Sequence, residues 1–300
     1  MSTLLEANQL TKIYGKEHVV NQLDFLLEEG TSTALIGPNG AGKTTTLSML
    51  TGLLNPTSGS IALNGELRAD VRKEIGFLPQ YPQFFSWLTA LEFTEKAAKL
   101  SGMDTRSAKV EAQKTLEFVG LGEALRKKTG TFSGGMKQRL GLAQAIVHRP
   151  KLLLLDEPVS ALDPVGRREI MNLLKSLQQN MTILYSTHIL NDAEEMTDQI
   201  LFLRKGQLVE RGSLGDVRAK YDSPRYRVEF TCEEDALNFA ARAPWKVSYH
   251  GTTSFIDITN EMPEMKEVLG YLAGSGLSVR KAERQTASLE EIFMKVAGQA

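Results

Sequence analysis

Three short apolar runs in this chain each end in a cluster of small or polar residues. The first, Thr33-Ala34-Leu35-Ile36-Gly37, gives way to a turn over Pro38 to Gly42 and then to helix formers from Lys43 to Thr51, which predicts strand, loop and helix. Lys151 to Leu155 predicts a second buried strand, ending in Asp156, Glu157 and Pro158. Thr182 to Ser186, rich in β-branched and aromatic side chains, predicts a third that leads into Thr187 and His188. In an open parallel α/β sheet the ligand crevice lies beyond the C-terminal ends of the strands, so these polar ends fit a nucleotide site. Between the first two strands, Leu88 to Arg149 predicts mostly helix, with apolar residues at helical spacing at Phe93, Ala97 and Leu100 and at Leu116, Val119 and Leu121. A helical subdomain, at about residues 88–149, is therefore expected as an insertion.

From Arg218 the pattern changes. Arg225 to Thr231 alternates as a strand, Glu233 to Ala243 reads as a helix, and Trp245 to Tyr249 and Ser254 to Ile258 read as strands separated by the turn His250-Gly251. Met262 to Ala273 then predicts a helix, Leu277 to Ala282 a strand and Leu289 to Val296 a closing helix. This βαββαβ order predicts a small α+β, ferredoxin-like domain over residues 218–300, following an α/β domain over residues 1–217. The length agrees, since 300 residues at about 150 per domain predict two domains.

Composition narrows the function classes. At 42% hydrophobic and 24% charged residues the chain can bury ordinary globular cores. Its 35 Lys and Arg balance 36 Asp and Glu, and the part from Arg218 onward holds 11 against 12, so neither part offers a broad electrostatic grip on nucleic acid or an anionic membrane. The longest aliphatic run, Leu152 to Leu155, is far shorter than the roughly 20 residues of a membrane span. The opening MSTLLEANQL shows no basic segment followed by an apolar one, and a chain neither membrane-spanning nor secreted is expected. The single cysteine, Cys232, has no partner for a disulfide and no metal-type spacing around it, so it is expected as a small buried apolar residue in a reducing cytoplasm.

The chemistry begins at Gly37-Pro38-Asn39-Gly40-Ala41-Gly42-Lys43-Thr44, with Thr45 beside it, which fits the phosphate-loop spacing G-x-x-x-x-G-K-S/T. Glycines let backbone N–H groups point at phosphate oxygens, Lys43 reaches the β- and γ-phosphates, and the Thr44 hydroxyl ligates Mg²⁺. The helix from Lys43 adds a dipole that favours an anion. Asp156 is suited to hold the Mg²⁺ shell through water, while Glu157 is placed to polarise an attacking water. Ser133-Gly134-Gly135 opens a second helix, with Ser133 as a natural N-cap, and so offers another anion-ready helix start. One ATP does not obviously need two such helix ends from a single chain, which points to a second subunit's nucleotide.

At this point the residues resemble a known family, the ATP-binding subunits of ABC transporters. Ser133 to Gly135 is similar to that family's signature loop, with Phe132 and Met136 in place of its commoner leucine and glutamine. Tyr14 resembles the aromatic that stacks on adenine, Gln80 the Q-loop glutamine, Ser160-Ala161-Leu162-Asp163 the D-loop, and His188 the switch histidine. The ordered set covers roughly residues 1–215. Taken singly, Tyr14 reads as a strand-end packing residue, Gln80 as a loop amide, Asp163 as a helix cap and His188 as a helix-start polar residue. The resemblance implies a P-loop NTPase fold and ATP hydrolysis with Mg²⁺ held by Thr44, Gln80 and Asp156. It also implies a catalytic set of Glu157, His188 and Gln80, and a head-to-tail dimer, or a paired paralogous subunit, in which Ser133, Gly134, Gly135 and Asp163 serve the partner's ATP.

Four aromatics between Tyr81 and Trp87 could form a groove for a short helix of a membrane permease; the alternative is that Phe84 and Trp87 pack inside the helical subdomain. Thr286 to Phe293 resembles the tail of ATPases that serve ABC-2 type permeases, which implies an exporter's energising subunit on the inner face of the membrane. An ABC ATPase acting on nucleic acid or ribosomes is the competing reading, opposed by the neutral charge and by the absence of paired cassettes.

Overall fold

The computed structural model describes residues 2–67, 73–160, 162–221, 224–258 and 262–299. They form two compact units, one running to Leu214 and one over Gly215–Gln299. In the first unit β1 (Thr3–Tyr14) and β2 (Glu17–Glu28) make a long hairpin, β3 (Ser32–Ile36) leads into α1 (Lys43–Leu50), and β4 (Ser58–Leu63), β5 (Glu66–Leu67) and β6 (Ile75–Leu78) follow. Helices α2 (Ala90–Leu100), α3 (Thr105–Phe118) and α4 (Gly134–Ile146) come next. After them run β7 (Leu152–Asp156), α5 (Pro164–Gln178), β8 (Thr182–Thr187), α6 (Leu190–Met196) and the hairpin of β9 (Gln199–Arg204) and β10 (Gln207–Ser213).

Six strands form one sheet in the order β10-β9-β3-β8-β7-β6, parallel except for the β9–β10 pair. Every residue of β3, β7 and β8 is buried, which is why these strands read as continuous apolar runs rather than as an alternation. Leu152 and Leu154 belong to one core with Leu35 and Leu184, with Leu47 and Leu50 of α1, and with Leu5, Leu10 and Leu23 of a second sheet. That sheet, β2-β1-β4-β5, is antiparallel. Its alternation is interrupted where Gln9 and Gln22 take positive φ (48° and 52°) and the register of β1 shifts between Ala7 and Leu10. Asp24 fastens the irregularity by accepting the Gln9 N–H at 2.7 Å.

The expected helical segment is present, but α2 turns a different face inward. Ala90, Thr94 and Ala98 are its buried residues, whereas Leu100 is 90% exposed. Small side chains explain the rotation: Ala98 packs with Ala108, Ala112 and Val147, the alanines let α2 and α3 approach closely, and Leu91, Ala97 and Met103 cover the contact half-buried. Phe93 instead meets Phe84 edge-on, with ring centroids 5.0 Å apart. The Thr89 hydroxyl accepts the Glu92 N–H and Glu92 accepts the Thr89 N–H, a reciprocal cap that holds the Glu92 carboxyl below its ordinary pKa. Of the two aromatics that could have packed within this segment, Phe84 does so, while Trp87 is 66% exposed and leans on Phe85 at 5.1 Å.

From α7 (Leu214–Tyr221) the chain enters the second unit, built from β11 (Arg225–Phe230), α8 (Glu233–Arg242), β12 (Val247–His250), β13 (Thr253–Asp257), α9 (Met265–Ser275), β14 (Val279–Gln285) and α10 (Leu289–Gln299). The sheet order β12-β13-β11-β14, antiparallel throughout, is that of a ferredoxin-like βαββαβ unit. Val228, Phe230, Phe239, Ile256 and Val268 form its core. Helix α9 begins at Met265, later than the apolar pattern predicts, because Glu264 caps it after Pro263. Cys232 is exposed, contrary to expectation: it precedes α8 in the turn where the chain leaves the core. Among the described residues no helix is long and apolar enough to cross a membrane.

Candidate nucleotide site

The parallel strands β3, β6, β7 and β8 end on one edge of the sheet, and their C-terminal extensions carry the chemistry. After β3 the backbone turns so tightly that a Cβ on Gly37 would lie 2.3 Å from the Leu203 carbonyl oxygen. Gly42 has φ 102° and a Cβ there would lie 2.6 Å from the Val19 carbonyl, so neither position accepts a side chain. Pro38, Asn39 and Gly40 form the exposed lip of the loop, and Ala41 is buried beneath it. No side chain caps α1 and its first turn holds no acid, which leaves its N-terminal N–H groups and dipole facing the loop.

Lys43, the first residue of α1, is buried, and its Nζ donates to the carbonyls of Gly37 (2.7 Å) and Pro38 (3.3 Å). It also pairs with Glu157 Oε1 at 3.3 Å, an ion pair in which both side chains are at most 7% exposed. The Thr44 hydroxyl donates to Asp156 Oδ2 at 2.8 Å, and Thr45 is half-buried beside it. His188 Nδ1 lies 2.6 Å from Glu157 Oε2, the distance of a strong hydrogen bond in which the ring N–H donates. Five expected residues, Lys43, Thr44, Asp156, Glu157 and His188, are thus joined in one constellation.

Other expected residues stand around it. Gln80 is half-buried, two residues beyond β6, whose Leu78 is in register with Leu155 of β7, so its amide is on the same edge. Tyr14 is half-exposed at the end of β1 and carries the Lys12 ammonium 5.3 Å from its ring centre. It pairs with Glu17, two residues before the Val19 carbonyl that lies against Gly42. Ser133 caps α4 by accepting the Met136 N–H at 3.3 Å, with Gly134 exposed next to it. Asp163 caps α5 by accepting the Gly166 N–H at 3.2 Å. Leu162 lies beside Gly135, and Gln138 of α4 donates to the Pro158 carbonyl at 2.8 Å, so these two segments are tied to each other. Among the described residues no hydrogen bond or ion pair joins Ser133, Gly134, Gly135 or Asp163 to Lys43 within the chain. Ala161 of the expected D-loop lies outside the described residues.

The strand ends conceal one residue that the motifs pass over. Ser186, fully buried in β8, donates its hydroxyl to Asp156 Oδ1 at 2.6 Å and accepts the Glu157 N–H at 2.9 Å. Its register opposite Asp156 is the signal, and strand pairing is not written in a single sequence.

A glycine-rich loop, a buried lysine and two acids on a parallel sheet edge define the class of P-loop nucleoside triphosphatases. Residues 20–160 match the ABC transporter family, and residues 212–297 match the C-terminal domain of DrrA1-3-like ATP-binding proteins. The chain is 42% identical to the ABC transporter ATP-binding protein YxlF of Bacillus subtilis (strain 168), over 98% of this chain and 99% of that protein. It is 34% identical to the bacitracin transport ATP-binding protein BcrA of Bacillus licheniformis, covering 99% and 98% of the two chains. The linearmycin resistance ATP-binding protein LnrL of Bacillus subtilis (strain 168) is 32% identical, covering 98% of each. Among solved structures, an ATP-binding subunit of an ABC transporter superposes with TM-score 0.67 at 32% identity over 73% of this chain and 93% of that one. A dimeric ATP-binding cassette in a post-hydrolysis state with ADP and Pi superposes with TM-score 0.64 at 26% identity, over 70% and 99%. The chain belongs to the ATP-binding proteins of ABC transporters, and it is an ATPase.

Proposed function

We propose that this chain powers export through a separate ABC-2 type membrane permease, working as a head-to-tail pair of ATPase subunits. The observation that carries the reading is Glu157, held between Lys43 of the phosphate loop and His188 of β8's end. In the proposed assignment the loop from Gly37 to Thr45 cradles the phosphates, Lys43 donates to the β- and γ-phosphate oxygens, and Tyr14 stacks on the adenine. Glu157 orients the attacking water and takes its proton on the carboxylate, His188 donates toward the γ-phosphate, and Gln80 orients the water through its amide.

The donor set fits Mg²⁺, which is hard and takes oxygen ligands: the Thr44 hydroxyl and the Asp156 carboxylate converge to 2.8 Å, with the Gln80 amide on the same edge. Among the described residues no cluster of three or more His, Cys, Asp or Glu competes as a metal site. The cation supplies neutralisation of the phosphate charge.

Ser133, Gly134, Gly135 and Asp163 stand at two exposed helix starts tied to each other, which supports their serving a nucleotide presented by the partner subunit. ATP then favours the closed pair because its γ-phosphate gains these contacts only there, and hydrolysis removes them. We assign residues 1–217 to the ATPase domain and 218–300 to an accessory or regulatory domain. Export is supported by the relatives in bacitracin transport and linearmycin resistance. The exposed Tyr81, Phe85 and Trp87 beside Gln80 suit an apolar contact with the permease on the inner membrane face. Affinity purification of the tagged chain from gently solubilised membranes tests this reading, with Lys43→Ala as the control for nucleotide-dependent assembly. Recovery of a stoichiometric integral-membrane protein is expected, and return of ribosomes or nucleic acid in its place would overturn it.

A further inference from the structure

Successive side chains of a strand point to opposite faces, so two adjacent acids at a strand end diverge unless the backbone turns between them. Glu157 makes that turn with φ 48°, a left-handed conformation that a residue bearing a Cβ keeps only when its surroundings hold it. Ser186 provides the hold. Its hydroxyl has one proton to give, and gives it to Asp156 Oδ1 at 2.6 Å, while its lone pairs receive the Glu157 N–H at 2.9 Å. With Oδ1 engaged, Asp156 presents Oδ2 to Thr44 at 2.8 Å. With its N–H engaged, and its carbonyl accepting from the Ser160 hydroxyl at 3.1 Å, Glu157 directs its carboxylate to Lys43 and His188.

We infer that Ser186 is a positioning residue for ATP hydrolysis, a single buried hydroxyl that fixes the carboxylate of one acid and the backbone of the next. The inference rests on the proposed roles of Asp156 and Glu157 and adds a residue that touches neither nucleotide nor water. Alanine removes the hydroxyl and leaves Asp156 Oδ1 and the Glu157 N–H without it, whereas threonine restores it.

The test compares the full-length chain with Ser186→Ala, Ser186→Thr, Glu157→Gln and the Ser186→Ala/Glu157→Gln double variant, in kcat, KM for ATP and Tm. The alanine variant is expected to lose kcat by roughly 10- to 100-fold with KM unchanged, the scale seen when a group that orients a ligand or catalytic residue is removed. Threonine is expected to recover most of the rate. In the Glu157→Gln background, followed in single turnover, the alanine change is expected to cost less than it does in the parental chain, since its effect through Glu157 is already lost and only that through Asp156 remains. A parental rate in Ser186→Ala, an equal loss in the alanine and threonine variants, or full additivity in the double variant each overturns the inference. If alanine lowers the folded yield, Ser186→Cys, which keeps the volume and weakens both bonds, carries the same test: kcat falls with KM unchanged, and a parental rate overturns it. A parental rate in Glu157→Gln overturns instead the underlying role of Glu157, whatever Ser186→Ala does.

Discussion

Glu157 is buried, yet its charge is matched on both oxygens, by the Lys43 ammonium at 3.3 Å and by the His188 ring at 2.6 Å. A glutamine in its place keeps the volume and leaves Lys43 its Gly37 and Pro38 carbonyl partners, so folding and ATP binding should persist. What it loses is a group able to take a proton. Glu157→Gln is therefore expected to lower single-turnover hydrolysis by about 10²- to 10⁴-fold while nucleotide affinity, read by equilibrium binding, stays near parental. The same variant should accumulate as an ATP-dependent dimer in size-exclusion chromatography. At the other end of β6, His148 illustrates a titratable group with a purely structural part. Burial pushes its pKa below the ordinary histidine value, against a weak opposing bond from Nε2 to the Ile75 carbonyl at 3.3 Å, and among the described residues its buried Nδ1 has no partner. The folded form thus resists a proton that the unfolded chain accepts below about pH 6.5. Stability from this residue is complete above that value and falls as the pH drops through the depressed folded pKa. Urea unfolding at about pH 7.5 and about pH 5.5 should show that loss, and His148→Gln, which never charges, should flatten it.

At the scale of elements, the path from sheet to Gln80 depends on how closely α4 lies over β6. A Cβ at Gly76 would stand 2.0 Å from the Ala145 carbonyl oxygen, a backbone atom that cannot step aside without moving the helix. Gly76→Ala is expected to destabilise the first unit by about 1–3 kcal/mol, seen as a lower denaturation midpoint at unchanged slope. Gly134→Ala is the contrast: among the described residues nothing lies within 4 Å of the added carbon at the start of α4, so the midpoint should hold or rise slightly. Neither glycine could be ranked in this way from sequence, because the difference is tertiary. The same reason separates what was legible from what was not. The phosphate loop, the acids after Leu155 and the cap at Ser133 are local: loop, dipole and cap chemistry are written in consecutive residues, and the structure places them at strand ends and helix starts as expected. The hairpin of β1 and β2 is hidden in the sequence because Gln9 and Gln22 break its alternation. The inward face of α2 departs from the apolar spacing because an Ala–Thr–Ala stripe buries better against another helix rich in small residues than a wider apolar stripe ending at Leu100. Cys232 is exposed although its type is usually buried, since position at a turn outweighs residue type.

For the whole molecule, the proposed head-to-tail pairing predicts complementation between two inactive variants. Each composite site takes its phosphate loop from one subunit and its Ser133 loop from the other, so damage to the two loops can be sorted into one site. Lys43→Ala disables the first loop. Gly135→Glu disables the second while preserving the fold: among the described residues the nearest atom to an added Cβ is Leu162 Cδ2 at 3.9 Å, and α4 has no acid in its first turn, where the helix dipole favours one. The introduced carboxylate would face the partner's γ-phosphate and repel it. In a mixed dimer one site then carries both defects and the other carries neither. Random pairing makes about half of all dimers mixed, each with one intact site of two, so an equal mixture should recover about a quarter of parental ATPase activity, provided that one site hydrolyses by itself. Recovery clearly above the sum of the two variants alone supports the composite site. A mixture no more active than its parts, with mixed dimers shown by co-purification of differently tagged chains, counts against a site that hydrolyses with loops from both subunits.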